Sequence, residues 1–347
     1  MTTSTAAPAR ETGTPRAGLA RQVLPLLLAL AALAVAMAAS VMYGSSSTSF
    51  HDVLDVLSGT ADSDTTTVIE SRYPRTVLGI LAGLCLAVAG TLMQGVTRNP
   101  LADPGLLGIN AGAAASVVAA TAYLGASGGT ATMWAALPGA LLAGVLVHMV
   151  GSAGSGSSSS LVRLVLAGAV LSAVLGAFIQ AVTLSKPQVF DSYRYWVVGA
   201  LGGRDFDVFT SVLPFAAAGL VLALLLGPGL NMLALGNDSA RSLGANPALV
   251  RGVGLFAATL LSAAATAAVG PIAFIGLAVP HVARAVVGID FRFRTVFAAV
   301  LGPTLLLLAD VVGRLVLRPQ ELMAGVVTAF LGAPALLYAV RRMKGNA

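Results

Sequence analysis

Asp310 and Arg314 stand four residues apart in the run "LLLLADVVGR", an interval that stacks two side chains on one face of a helix. A carboxylate in so apolar a run serves either an ion or proton relay, for which it must face a pathway, or a structural pair with the arginine one turn on. The spacing favours the pair. Other chemistry is sparse. The two lysines, Lys186 and Lys344, lie in no glycine-rich loop, so the chain has no phosphate cradle of the Walker A kind. His51, His148 and His281 fall in separate segments and form no HExxH pattern, which leaves no metal site to assign. The single Cys85 can form no intramolecular disulfide, and His281, in "VPHVAR", reads as a hydrogen-bonded structural residue. Without a nucleophile and base in one motif, no covalent catalysis and no cofactor are expected on this chain.

The polar residues gather instead in two loops. In "RNPLADPGLLGINAG", residues 98–112, Pro100 disfavours helix at Asn99, and Asp103, Pro104 and Gly105 turn the chain. In "LALGNDSARSLGANP", residues 233–247, Asn237 or Asp238 is expected to cap a short helix over Ser239–Leu243. Gly244 suits a left-handed stop and Pro247 the start of the next element. A short helix projecting from a polar loop has the form of a docking knob.

The elements that hold these loops are apolar. Of 347 residues 57% are hydrophobic and 10% charged, against about 25% charged in soluble domains, and the mean hydropathy is +0.88. Windows of about 20 residues predict an all-α polytopic membrane protein with ten spans. They fall near 20–43, 76–97, 105–125, 132–151, 161–184, 208–227, 249–269, 272–288, 295–316 and 322–340. The segment 272–288 is short and carries Pro280, His281 and Arg284, so it is expected to be broken or re-entrant. The apolar run Val23–Val41 is too long for a signal peptide and reads as an anchor. Residues 1–19 read as a disordered tail and 20–347 as one transmembrane domain.

Charge sets the expected direction. With the N-terminus inside, alternating spans place thirteen of the twenty cations and four of the fourteen acids on the inner side, leaving +9 there and −3 outside. The positive-inside rule thus supports an even count with both termini cytoplasmic. The basic balance is explained by the membrane and calls for no nucleic acid. Gly79 with Gly83, and Gly108 with Gly112, repeat at the interval that lets helices approach closely in lipid.

In this setting the chain resembles the FecCD family, the permease subunits of type II ABC importers for iron siderophores, haem and cobalamin. The resemblance rests on "SRYPRTVLGILAGLCLAVAGTLMQGVTRNPLADPGLLGINAGA", "ARSLGANPALVR", "VGPIAFIGLAVPHVAR", "LLLLADVVGR" and "ELMAGVVTAFLGAPALLYAVRR", in order from about residue 70 to the C-terminus. It implies a ten-helix subunit of a bacterial cell membrane that pairs with an identical or homologous second permease. ATP and Mg²⁺ then bind on separate ATPase subunits, and an extracytoplasmic binding protein delivers the cargo, a ferric siderophore, with haem or cobalamin as the alternatives. The loop at about 230–247 would fold as two short coupling helices, putting Ala240, Arg241, Ser242, Leu243 and Gly244 in the ATPase groove. Arg72, Arg75 and Arg314 would meet acidic residues of the binding protein. Asn99 and Leu101 would form the inner gate with Leu161 and Val162 at the start of the fifth span, two apolar residues where relatives can carry hydroxyls. A carrier driven by an ion gradient is the alternative of a different class, and it would need a carboxylate facing the path.

Overall fold

The computed structural model describes residues 15–44, 49–152 and 159–344, all helix and loop with no strand among them. The chain runs α1 (Pro15–Met42), α2 (Phe50–Ser58), α3 (Ser63–Glu70), α4 (Arg72–Thr97), a 3-10 turn (Pro104–Leu107), α5 (Ile109–Leu124) and α6 (Gly129–Ser152). It continues through α7 (Ser159–Ser185), α8 (Pro187–Val197), α9 (Phe206–Ala234), α10 (Asn237–Ser242), α11 (Pro247–Val269), α12 (Ile275–Val287), α13 (Phe291–Val316) and α14 (Ala324–Lys344). Seven of the described helices are long and apolar enough to cross a membrane, namely α1, α4, α6, α7, α9, α11 and α13, and three shorter apolar ones complete the set. The ten expected spans therefore correspond to ten apolar helices. Helix α1 begins at Pro15, inside the stretch expected to be a tail, and residues 1–14 lie outside the described residues.

Helices α4 and α11 form the centre, with 78% and 83% of their apolar windows buried, against 17% for α1 and α7. Such contact between helices in lipid depends on small residues, because apolar side chains gain little by leaving lipid for protein. At Gly83 an added Cβ would lie 2.7 Å from the Gly302 carbonyl oxygen and Pro303 of α13, so the α4–α13 contact is backbone against backbone. Gly90, two turns on, meets the Gly276 backbone of α12 in the same way, and Gly112 of α5 meets Gly139 of α6. Gly108 differs from expectation: at φ +70° it is a left-handed turn residue before α5.

The broken segment is real and its form is specific. After α11 ends at Val269 the chain is non-helical from Gly270 through Ala273, and Phe274 takes a left-handed conformation (φ 70°) before α12 starts. Since Gly276 packs on Gly90, seven residues from the Thr97 end of α4, α12 begins about 10 Å inside that end of the bundle. Non-helical backbone at such depth is tolerated where protein covers it or where it lines a cavity. Gly270 and Ile272 are buried, Pro271 and Phe274 partly so, and Ala273 is exposed.

Candidate functional site

Two clusters of polar residues stand at opposite ends of the bundle. At the Thr97 end, α10 forms between α9 and α11, and Gly244 (φ +84°) stops it as expected, its N–H donating to the Arg241 carbonyl at 2.9 Å. Pro247 opens α11, and Asn246 caps it by accepting from the Ala248 and Leu249 N–H groups at 3.1 and 3.2 Å. Three details differ from the sequence reading. One short helix is formed here, where the resemblance implied two. Its N-cap is Gly236, with no side-chain cap, because Asn237 Oδ1 accepts instead from Arg251 Nη2 at 2.7 Å and ties α10 to α11. Ala240 is fully buried, the small residue on which α10 rests, and so it is removed from the outward contact set.

What α10 does present is apolar. Leu235, Leu243 and Leu249 are 66%, 59% and 62% exposed around it, with Arg241, Ser242 and Gly244 also at the surface and Arg241 loosely paired to Asp238 at 3.5 Å. The three exposed leucines in one loop, bordered by polar groups, form an apolar patch at this end of the bundle. Its support is stiff: Asn231 Nδ2 donates to Asp290 Oδ1 at 2.7 Å while its Oδ1 accepts from the Phe291 N–H at 2.8 Å, joining α9 to the start of α13.

Also at this end, Arg98 ends α4 in a left-handed conformation (φ 51°), and Asn99 Oδ1 accepts from the Leu101 N–H at 3.0 Å to set the turn. Leu101 is 40% exposed. The chain then climbs back into the bundle, and Asp103 Oδ1 accepts from the Gly105 N–H at 2.8 Å. Burial pushes the Asp103 carboxyl above the usual carboxylate range. The part of this loop that meets α7 is Leu106 to Gly108, against Gly168 and Ser172. That contact lies more than a turn beyond Val162, which is exposed, while the side chain of Leu161 lies outside the described residues.

At the opposite end five charged residues converge. Arg75 grips Asp310 with two bonds, Nε to Oδ2 at 2.9 Å and Nη2 to Oδ1 at 2.8 Å, and its Nη1 donates to Glu321 at 2.8 Å. Arg314 Nη2 lies 2.9 Å from Asp310 Oδ2, so the four-residue spacing is an ion pair as the sequence suggested. The rest of that guanidinium turns to α1, donating to the Ser40 and Tyr43 carbonyls at 2.9 and 2.8 Å and to Ser40 Oγ at 3.0 Å. Arg72 donates to the Val41 and Met42 carbonyls at 2.8 and 3.0 Å. The last carbonyls of a helix have no partner within it and carry the negative end of its dipole, so two cations satisfy the α1 terminus in both respects.

This geometry corrects the expected docking role. Arg314 is 1% and Arg72 6% exposed, and the Arg75 side chain 14%, each turned toward neighbouring elements. A guanidinium spent on buried carbonyls and a buried carboxylate offers no face to an incoming protein. Glu321, one third exposed, is the outermost of the five. The pairing also bears on Asp310, which is fully buried between two arginines and faces no pathway. His281 Nδ1 lies 3.3 Å from the Leu277 carbonyl one turn back, a structural contact. Among the described residues no group of three His, Cys, Asp or Glu could hold a metal ion.

Comparison with known proteins agrees in family and in fold. The model of the FecCD transport family matches residues 32–342. The ferric enterobactin transport system permease protein FepD of Escherichia coli K12 is 46% identical over 321 residues, 92% of this chain and 95% of that protein. The Fe(3+)-citrate import system permease protein YfmD of Bacillus subtilis 168 is 35% identical over 92% of this chain and 95% of its own length. The hemin transport system permease protein HmuU of Yersinia pestis is 34% identical over 79% and 82%. Among solved structures, an inward-facing metal-chelate-type ABC transporter superposes with a TM-score of 0.79 over 92% of this chain and 99% of the other, at 24% identity. With a family match that spans nearly the whole chain, this protein belongs to the FecCD transport family.

Proposed function

We propose that this chain is the membrane-spanning permease subunit of an ATP-driven importer of ferric siderophores in a bacterial cell membrane. The observation that carries the reading is the leucine-faced knob at α10, locked to α11 by Asn237 and Arg251 on a chain with no phosphate cradle of its own. Relatives named for ferric enterobactin and ferric citrate support the cargo class. In this reading ATP and Mg²⁺ sit on partner ATPase subunits that grip Leu243, Gly244, Arg241 and Ser242. A second permease faces the exposed stripe Val162, Leu166, Val170 and Val174 of α7, and the path runs between the two. Asn99, Leu101 and Val162 line the inner mouth, and a binding protein lands at the Arg72 end. The chain's work is a shift between inward-open and outward-open populations, driven by ATP binding differently to the two states.

The test is Leu243→Asp in the assembled transporter. Leu243 is largely exposed, so insertion and thermal stability are expected to match wild type, whereas an unpaired carboxylate pressed into an apolar groove costs more than the roughly 1–3 kcal/mol measured in proteins for a neutral polar group. Iron uptake into cells is expected to fall about tenfold or more, with weaker ATPase co-purification. A variant that keeps its ATPase and shows wild-type uptake overturns the docking surface. Uptake that persists when the ATPase is deleted and stops with a protonophore moves the chain to the ion-gradient class.

A further inference from the structure

Arg294 is a cation that the fold leaves without a counter-charge. It stands in the first turn of α13 at the Thr97 end, where the helix dipole favours an anion, and it is 5% exposed. Its Nε is buried without an acceptor, and among the described residues no hydrogen bond or carboxylate meets the rest of the guanidinium. Its Cζ lies 4.3 Å from the centroid of the Phe291 ring, and that ring packs on Gly95 of α4, a fixed shelf for one face of the group. The charge count assigns four acids to this side of the membrane. Asp290, one turn back, has the spacing for a pair, but its Oδ1 accepts from Asn231 Nδ2 at 2.7 Å and from the Arg292 N–H at 2.9 Å. Asp103 accepts from the Gly105 N–H, Asp238 pairs with Arg241, and Glu11 lies outside the described residues. A buried charge without a partner is strongly unfavourable, which calls for an anion from outside the chain.

The surroundings point to its source. Where α1, α12 and α13 meet, Ala29, Ala283, Val287 and Phe297 close a small apolar seam. Arg294 lies one turn nearer the end of the bundle than Phe297, and the exposed Arg284, beside Ala283 on α12, adds a second positive charge to the field at Arg294. Around the two arginines the surface is apolar and exposed, with Val282 and Val286 on α12, Ile289 in the turn, and Phe293 and Val296 on α13. We propose that Arg294 and Arg284 bind the phosphate of an anionic phospholipid at the α12–α13 turn, with its acyl chains on the apolar side chains around them. A guanidinium matches a phosphate through two parallel N–H groups, and the Phe291 shelf leaves those edges of Arg294 to the ligand. A carboxylate of a partner protein could supply the charge alone, whereas a lipid brings charge and apolar chains in one molecule to a helix end at the membrane surface.

The experiment takes the complete permease–ATPase complex in detergent, stripped of bound lipid, and follows its Tm as dioleoyl phosphatidylglycerol is added, since a ligand of the folded state raises Tm with its concentration. Wild type is expected to show a saturable rise. Dioleoyl phosphatidylcholine, without net charge, should need about tenfold more for the same rise, and inorganic phosphate should give none. Arg294→Gln is expected to raise the half-saturating concentration of phosphatidylglycerol about tenfold or more, and Arg284→Gln about threefold. Arg292→Gln removes the same charge from a side chain that lies against Gly227 of α9, and as the control it should stay within about twofold of wild type. Without lipid, Arg294→Gln should melt no lower than wild type, because the variant removes a buried unpaired charge; an arginine with a merely structural role would melt lower. A lipid response of Arg294→Gln within about twofold of wild type overturns the proposal, and loss of the ATPase from that variant would then give the arginine to the partner subunit. An equal response to phosphatidylcholine, or to phosphate alone, overturns the lipid as occupant. So does a fall in Tm for Glu11→Gln that disappears when Arg294→Gln is added, since Glu11 is then the counter-charge. Should Arg294→Gln fail to accumulate, Arg294→Lys carries the test: loss of the planar fork is expected to weaken the response about threefold, and a wild-type response overturns the site. None of these readouts uses transport, so the permease reading is tested separately.

Discussion

Asp310→Asn is expected to destabilise the protein more than any other single change at the Arg72 end. One carboxylate there neutralises Arg75 and Arg314, and an amide of the same size offers one acceptor oxygen and an NH₂ group that must face a guanidinium. Breaking a buried pair by removing one partner costs roughly 3–5 kcal/mol, because the other charge stays buried and uncompensated. Here two are left. The measurement is thermal unfolding of the purified protein in detergent, followed by fluorescence size exclusion, with a large fall in Tm expected that added salt does not erase, since buried charges are poorly screened. Glu321→Gln, at the exposed edge, is expected to change little by comparison, within about 1 kcal/mol. If Asp310→Asn melts with the wild type, the cluster does not hold α1 to α4 and α13.

The second large effect is expected at Gly90. Its neighbour across the α4–α12 contact is the backbone of Gly276, so a new side chain meets atoms that no rotamer change can move aside. Overpacking usually costs about 1–3 kcal/mol where side chains can give, and Gly90→Leu should exceed that by forcing α12 off α4. Gly176→Ala in α7 is the matched control, with open space at the added Cβ and helix propensity in its favour by up to about 1 kcal/mol. Tm should fall sharply in the first and hold or rise slightly in the second. Equal behaviour would mean that the close α4–α12 approach is not maintained in the membrane.

Both sites show where reading the chain residue by residue stops. The ten apolar helices are legible because a lipid-exposed backbone must satisfy itself within each segment, which forces long uninterrupted runs. Asp310 and Arg314 are legible as a pair because four residues is one turn. Arg75 is not assignable in the same way, since its partners Asp310 and Glu321 lie 235 and 246 residues along the chain and only folding brings them together. An arginine near a helix start reads alike whether it faces a partner or caps α1. Helices α2, α3 and α8 escape a window of about 20 residues because they are 9, 8 and 11 residues long. The stop at Gly244 is written in one residue's left-handed preference, whereas the burial of Ala240 depends on what α10 lies against.

Helix α12, finally, constrains how the protein can be made. Its 13 residues give a helix about 20 Å long, short of the roughly 30 Å of hydrocarbon that a segment must cross to partition on its own from the translocon. Hydrophobicity alone therefore does not hold it in the bilayer. Its place is supplied by α4 and by α13, and the latter is synthesised afterwards. A nascent chain ending near residue 290 has eight apolar segments, of which the last lacks a neighbour on one side, and the route into the membrane for this region is expected to be cooperative: α12 enters with α13, as a pair, once both have left the ribosome.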